Sequence, residues 1–181
     1  MITEVSHLVY AEQARSIKYD NVKYNESDCQ GFVEQVLKDC GVRKKDGTVY
    51  NWTGSNKMWR VALTWKGTIE ECLHMYGEIP VGAWVFIVKN DGGEKERGYN
   101  DREGNAKHVG IYVGGDLPVR DSTRNSKRDG VGYRSINDFT HVGLPYMIEF
   151  FDNSLQPVTG KVTQEEALKA LETLKLYILK G

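Results

Sequence analysis

The chain has 181 residues, 40% of them apolar and 27% charged, with a formal net charge of −1 and three cysteines. That length and apolar share suffice for one core with a small appendage, and the near-neutral charge gives no electrostatic basis for binding nucleic acid or an anionic membrane. Three irregularly spaced cysteines argue against a disulfide framework and for synthesis in a reducing compartment.

The first segment, "MITEVSHLVYAEQARSIKY", has the pattern of an amphipathic helix over residues 3–17 rather than a basic region followed by an apolar run. It does not read as a signal peptide, and no stretch is long and apolar enough to span a membrane. The expectation is a protein made in the cytoplasm without a leader; acting elsewhere would require release by some other agent.

In "NESDCQGFVEQVLKDCGV", Phe32, Val33, Val36, Leu37 and Cys40 recur at steps of three and four, which predicts a helix over 29–40 with Gly41 just past its end. Asp28 is placed as the N-cap, accepting from the free amides of the first turn. Cys29 then opens the helix, where unpaired N–H groups and the helix dipole favour a thiolate, the nucleophilic form of cysteine. Taken alone, this stretch fits a small core cysteine better, because buried structural cysteines are common.

Two further helices are expected in "SNKMWRVALTWKG" and "TIEECLHMYG", each closed by its glycine. Beyond about residue 80 the pattern changes to strands: "GAWVFIVK", "KHVGIYVGG", "LPVRDST", "GVGYRSI" and "LPYMIEFF". Helices followed by a run of antiparallel strands predict an α+β fold, with the N-terminal helices packed on a central antiparallel sheet. The polar "NDGGEKERGYNDREGNAK" between the first two strands reads as a solvated loop, since its acidic residues lack calcium-loop spacing.

Pro157 and Gly160 bracket a turn, after which Thr163 and Glu166 form a capping box and Leu168, Leu171, Leu174 and Ile178 an apolar stripe. This divides the chain into residues 1–152 and a linker with a C-terminal amphipathic helix, 153–181, that packs on its own domain or on a partner.

A cysteine nucleophile needs an imidazole to accept its proton and a third group to orient that imidazole. Of the four histidines, His7 and His74 lie in helical stretches as packing or surface residues, and His141 precedes a proline that limits strand pairing. His108 shares one strand face with Gly110 and Tyr112, opposite Val109, Ile111 and Val113. That face leaves room for a helix N-terminus to approach.

The ordered set "DCQGFV", "GAWVFIV" and "KHVGIYVGG" resembles the NlpC/P60 family of papain-like cysteine peptidases, which cut peptidoglycan stem peptides; the resemblance runs from about residue 5 to residue 150. "GSNKMW" and the polar stretch leading into the histidine strand are most similar to the phage and prophage branch. The resemblance implies a papain-like NlpC/P60 fold, Cys29 as nucleophile, His108 as base and no cofactor or metal. Relatives usually carry a polar residue, often histidine, on the next strand, and "VRDST" places Asp121 there. A register one residue different would instead turn Arg120 or Ser122 toward His108. Where the family has serine after the cysteine, this chain has Gln30. The resemblance makes Asp28, Gln30 and Tyr24 the expected substrate-binding residues, with Asp28 also the cap.

The implied partner is a peptidoglycan stem peptide. The implied setting is the cell wall, reached after holin release or on a virion, with an oligomer or virion contact through the C-terminal helix. Rival readings are a CHAP-like amidase or endopeptidase on the same polymer and a wall-binding or virion structural protein without turnover. A metal site built from Cys29, His108 and Asp121 lacks any paired-ligand motif.

Overall fold

The computed structural model describes residues 2–17, 28–89, 103–125 and 128–150. The chain divides into two units, residues 1–150 and 151–181. The second lies outside the described residues, and with it the expected C-terminal helix; Tyr24 and residues 90–102 lie outside them as well.

The first helix, α1 (His7–Ser16), begins later than its apolar pattern predicts because Val5–Ser6 form a short strand, β1, paired in parallel with β8 (Ile148–Glu149) near the end of the unit. The Val5 N–H is thereby committed to Met147 O at 3.1 Å. Helix α2 (Cys29–Asp39) matches its prediction closely. Asp28 accepts the Gly31 N–H at 2.7 Å, and Phe32, Val33, Val36 and Leu37 are buried. Each such side chain contributes roughly 2 kcal/mol by leaving water.

The expected helix over residues 55–67 is instead a short helix, α3 (Ser55–Val61), followed by a strand, β2 (Leu63–Thr68). After Ala62 the chain offers Leu63, Thr64 and Trp65, which suit a pleated surface, and β7 (His141–Pro145) supplies the partner. Gly67 is no helix stop: a Cβ there would lie 2.8 Å from Glu71 Oε2 and 3.0 Å from the Trp65 ring. Helix α4 (Ile69–Tyr76) starts on a capping box between Thr68 and Glu71 and ends at Gly77 in the left-handed region, both as their residue types require.

The remaining strands are β3 (Trp84–Lys89), β4 (Asn105–Tyr112), β5 (Val119–Asn125) and β6 (Arg128–Arg134). They complete a six-stranded antiparallel sheet in the order β2-β7-β3-β4-β5-β6. The strand holding His141 is therefore central, pairing with both β2 and β3. Its proline is no obstacle because Pro145 stands at the strand's last position.

The sheet buries both faces. Trp84, Phe86, Val88, Val109 and Ile111 pack with α1, α2 and α3 on one side, while Val85, Val119, Val142 and Leu144 meet Cys72 of α4 and Phe139 on the other. The helices thus cover both faces of the sheet, α1, α2 and α3 on one and α4 on the other. The architecture is α+β with a mostly antiparallel sheet, and no helix among the described residues is long and apolar enough to cross a membrane.

Candidate active site

Helix α2 packs on β4 and β5, which brings three sequence-predicted residues together. Asp121 on β5 is fully buried, and its Oδ2 lies 2.6 Å from His108 Nε2 on β4. The Cys29 thiol at the head of α2 is the imidazole's other hydrogen-bonding partner. With Nε2 held by the carboxylate, Nδ1 is left to the sulfur. Thiol, imidazole and carboxylate form one chain, each group from a different element.

The strand register decides which β5 residue faces His108. Arg120 takes the opposite face, where its guanidinium donates to Ala14 O and Ile17 O at the end of α1 and covers the Tyr133 ring at 4.3 Å. Asp121 is accordingly the residue turned to the histidine, and the one-residue slip that would have substituted Arg120 does not occur. Gly110, on the His108 face, makes the approach possible. A Cβ there would sit 2.6 Å from Val119 Cγ1, 3.1 Å from Arg120 O and 3.3 Å from Asp121 Cβ. The space expected for a helix N-terminus is filled by β5.

Burial opposes a charge on the imidazole, but the hydrogen bonds to Asp121 and Cys29, with the charges behind them, outweigh it and push His108 up to about 9. The ring is 15% exposed and stacks on Phe139 at 5.9 Å. On the other two cysteines the environment acts differently. Burial pushes the Cys72 thiol up to about 11; burial, with the charge of Asp39, does the same to Cys40. Iodoacetamide at pH 7 is therefore expected to alkylate Cys29 alone, since Cys29 has an imidazole at hand and the others stay protonated. Peptide mapping by mass spectrometry checks this, and modification of Cys40 or Cys72 at a comparable rate contradicts it.

The flanks of the nucleophile are held firmly. Asp28 is exposed and caps α2 through Oδ1, while its Oδ2 takes no hydrogen bond among the described residues. Gln30 donates to Glu34 Oε1 at 2.8 Å and to the Trp52 carbonyl, and Glu34 accepts the Trp52 N–H at 2.5 Å. Burial raises the Glu34 carboxyl above its ordinary range, against the pull of the bonds from Trp52 and Gln30. Gln30 therefore ties α2 to the segment around Trp52, with both amide hydrogens engaged inside the fold. His7 donates from Nδ1 to Val81 O, 2.9 Å away, and His74 is exposed on α4.

Three features escape a reading of the chain alone. Arg134, on β6, donates from Nη1 to Asp121 Oδ2 at 3.3 Å and from Nε to Asp138 Oδ2 at 3.1 Å. Phe139 is the second: the Arg134 guanidinium covers its ring at 5.1 Å, and His108 stacks on it. The available signal was Gly132: it pairs with Asp121 and brings no side chain, which leaves room for Arg134 to reach across diagonally. Helix α3 is the third feature, because it clamps the start of the histidine strand. Ser55 Oγ donates to Ala106 O at 2.8 Å, Asn56 Oδ1 accepts from Ala106 N at 3.1 Å, Trp59 donates to Glu103 O at 2.9 Å and Arg60 to Gly104 O at 2.8 Å. "GSNKMW" thus has a structural meaning as a latch on β4.

The chain matches no family model, and neither the curated proteins nor the solved structures yield a match. Among the described residues no cluster of His, Cys, Asp and Glu is arranged to hold a metal ion.

Proposed function

We propose that the protein is a cysteine peptidase with a papain-like fold of the NlpC/P60 type, and that it hydrolyses amide bonds in peptidoglycan stem peptides. The observation that carries the chemistry is the chain Cys29–His108–Asp121, with the imidazole held between a thiol and a fully buried carboxylate. The substrate class rests on the ordered motifs "DCQGFV", "GAWVFIV" and "KHVGIYVGG".

In this reading His108 takes the Cys29 proton, and the sulfur attacks the amide carbonyl carbon. The N–H of Cys29, at the positive end of α2, meets the oxyanion of the tetrahedral intermediate. As the C–N bond breaks, His108 passes its proton to the departing amine and a thioester remains. Water, deprotonated by His108, attacks the thioester; the carboxylic acid leaves and the thiol is restored. Asp121 accepts the Nε2 hydrogen throughout, which fixes the tautomer and stabilises the imidazolium. Asp28, whose Oδ2 takes no hydrogen bond among the described residues, binds the amine of a stem peptide beside the nucleophile. Gln30 acts by bracing α2.

Digestion of purified peptidoglycans of several cross-link types, by wild type and by Cys29→Ala, tests the proposal. Fragments identified by mass spectrometry after wild type alone are the expected result and identify the bond cut. The absence of fragments from every wall moves the assignment to a wall-binding or virion structural role.

A further inference from the structure

Asp121 is fully buried, and its partner His108 gains and loses a proton twice in each turnover of the mechanism above. When the imidazole is neutral, His108 alone would leave the carboxylate uncompensated in a buried site, a state proteins avoid by paired charges or by protonation. Arg134 fills that gap. Its Nη1 reaches Asp121 Oδ2, the oxygen that also accepts from His108, and its Nε is anchored by Asp138 Oδ2 on the turn at 136–138. Phe139 touches both groups: the imidazole stacks on its ring at 5.9 Å and the guanidinium lies over it at 5.1 Å.

We propose that Arg134 is a positioning residue of the thiol–imidazole centre: a permanent counter-charge that keeps the buried Asp121 ionised and aimed at His108 Nε2 whether or not the imidazole holds its proton. This rests on the reading of Cys29, His108 and Asp121 as a hydrolytic centre. Arg134 does not touch the reacting atoms. It lets His108 release its proton to a leaving amine, because the carboxylate left behind still has a cation beside it.

Among the described residues, Cys29 from α2, Asp121 from β5, Arg134 from β6 and Asp138 from the turn face this centre, and they set the sign of the test. With Arg134→Gln the cation beside Asp121 is gone and more of the carboxylate's pull falls on the imidazole, so His108 holds its proton more tightly. Titration of the His108 imidazole by NMR in the full chain reads this directly, with the resonance assigned through His108→Gln. The expected midpoint rises by about one unit in Arg134→Gln and stays near wild type in Arg134→Lys, which keeps the charge. Asp138→Asn, at an exposed carboxylate, frees the guanidinium for Asp121 and lowers the midpoint. That variant carries the test if Arg134→Gln does not fold.

A midpoint unchanged in both Arg134→Gln and Asp138→Asn, or one that falls in Arg134→Gln, overturns the proposal. The titration needs no substrate. Failure to digest peptidoglycan therefore counts against the hydrolase reading, while a static midpoint counts against Arg134.

Discussion

Replacing Asp121 with asparagine is expected to lower kcat by about 10⁴-fold with little change in KM, as loss of the orienting carboxylate does in hydrolytic triads. Asparagine occupies nearly the same volume, so packing around β5 persists. Its amide presents a donor as well as an acceptor to a pocket that needs an acceptor on two sides, toward His108 Nε2 at 2.6 Å and Arg134 Nη1 at 3.3 Å. The imidazole loses its fixed tautomer, and His108 falls from about 9 toward or below its ordinary value.

Stability changes with it, in a direction set by linkage. The folded state binds the His108 proton more tightly than the unfolded chain, whose histidine titrates at about 6.5. The resulting stabilisation is present in full below that value and is lost as pH rises through about 9. Its size is on the order of 3 kcal/mol, and the wild-type advantage over Asp121→Asn shrinks across that alkaline window. Urea unfolding at pH 6 and pH 10, alongside steady-state kinetics, measures both effects. A variant that keeps full kcat rules out Asp121 as the group orienting His108.

Gly110→Ala gives the second large effect, through backbone spacing and not through charge. The new methyl would lie 2.6 Å from Val119 Cγ1 and 3.1 Å from a main-chain oxygen. Val119 is fully buried and has no free volume to rotate into. The strands must part, which costs about 2–3 kcal/mol and lowers the melting temperature by roughly 5–10 °C. Because His108 and Asp121 lie on the two strands being separated, kcat falls by about 10²-fold as well, the usual penalty for a displacement near 1 Å. Thermal unfolding and kinetics on the same preparation check the pairing. Normal stability with normal activity would mean that β4 and β5 tolerate a wider spacing than this register implies.

What could be read from the chain depended on whether local periodicity determined it. The 3.6-residue stripe of α2, its Asp28 cap and the two-residue alternation of β4 are local patterns, and they were enough to put Cys29 on a helix and His108 on a strand. Asp121 came from the family resemblance, which puts a polar residue on the next strand; alternation by itself left Arg120 and Ser122 open.

Strand β2 was not legible, since no turn residue separates it from α3 and its strand character comes from pairing with β7, some eighty residues on. Arg134 depends on a diagonal across β5 and β6 that only the register defines. The engagement of Gln30 with Glu34 and Trp52 likewise needs the chain to return from residue 52 to the first turn of α2. These are tertiary relations that no window along the sequence contains.

The place of β7 bears on how the molecule can be made. The strand at residues 141–145 is inserted between β2 and β3, which were synthesised long before it. Until it arrives, both neighbours present unpaired amides and carbonyls along an open edge, the state in which chains recruit one another. Closing the sheet demands contacts between residues far apart in sequence, which slows folding. A chain interrupted before His141 should therefore aggregate, even with Cys29, His108 and Asp121 all present, and the soluble yield of nested C-terminal truncations should collapse when the cut passes from residue 150 to residue 140.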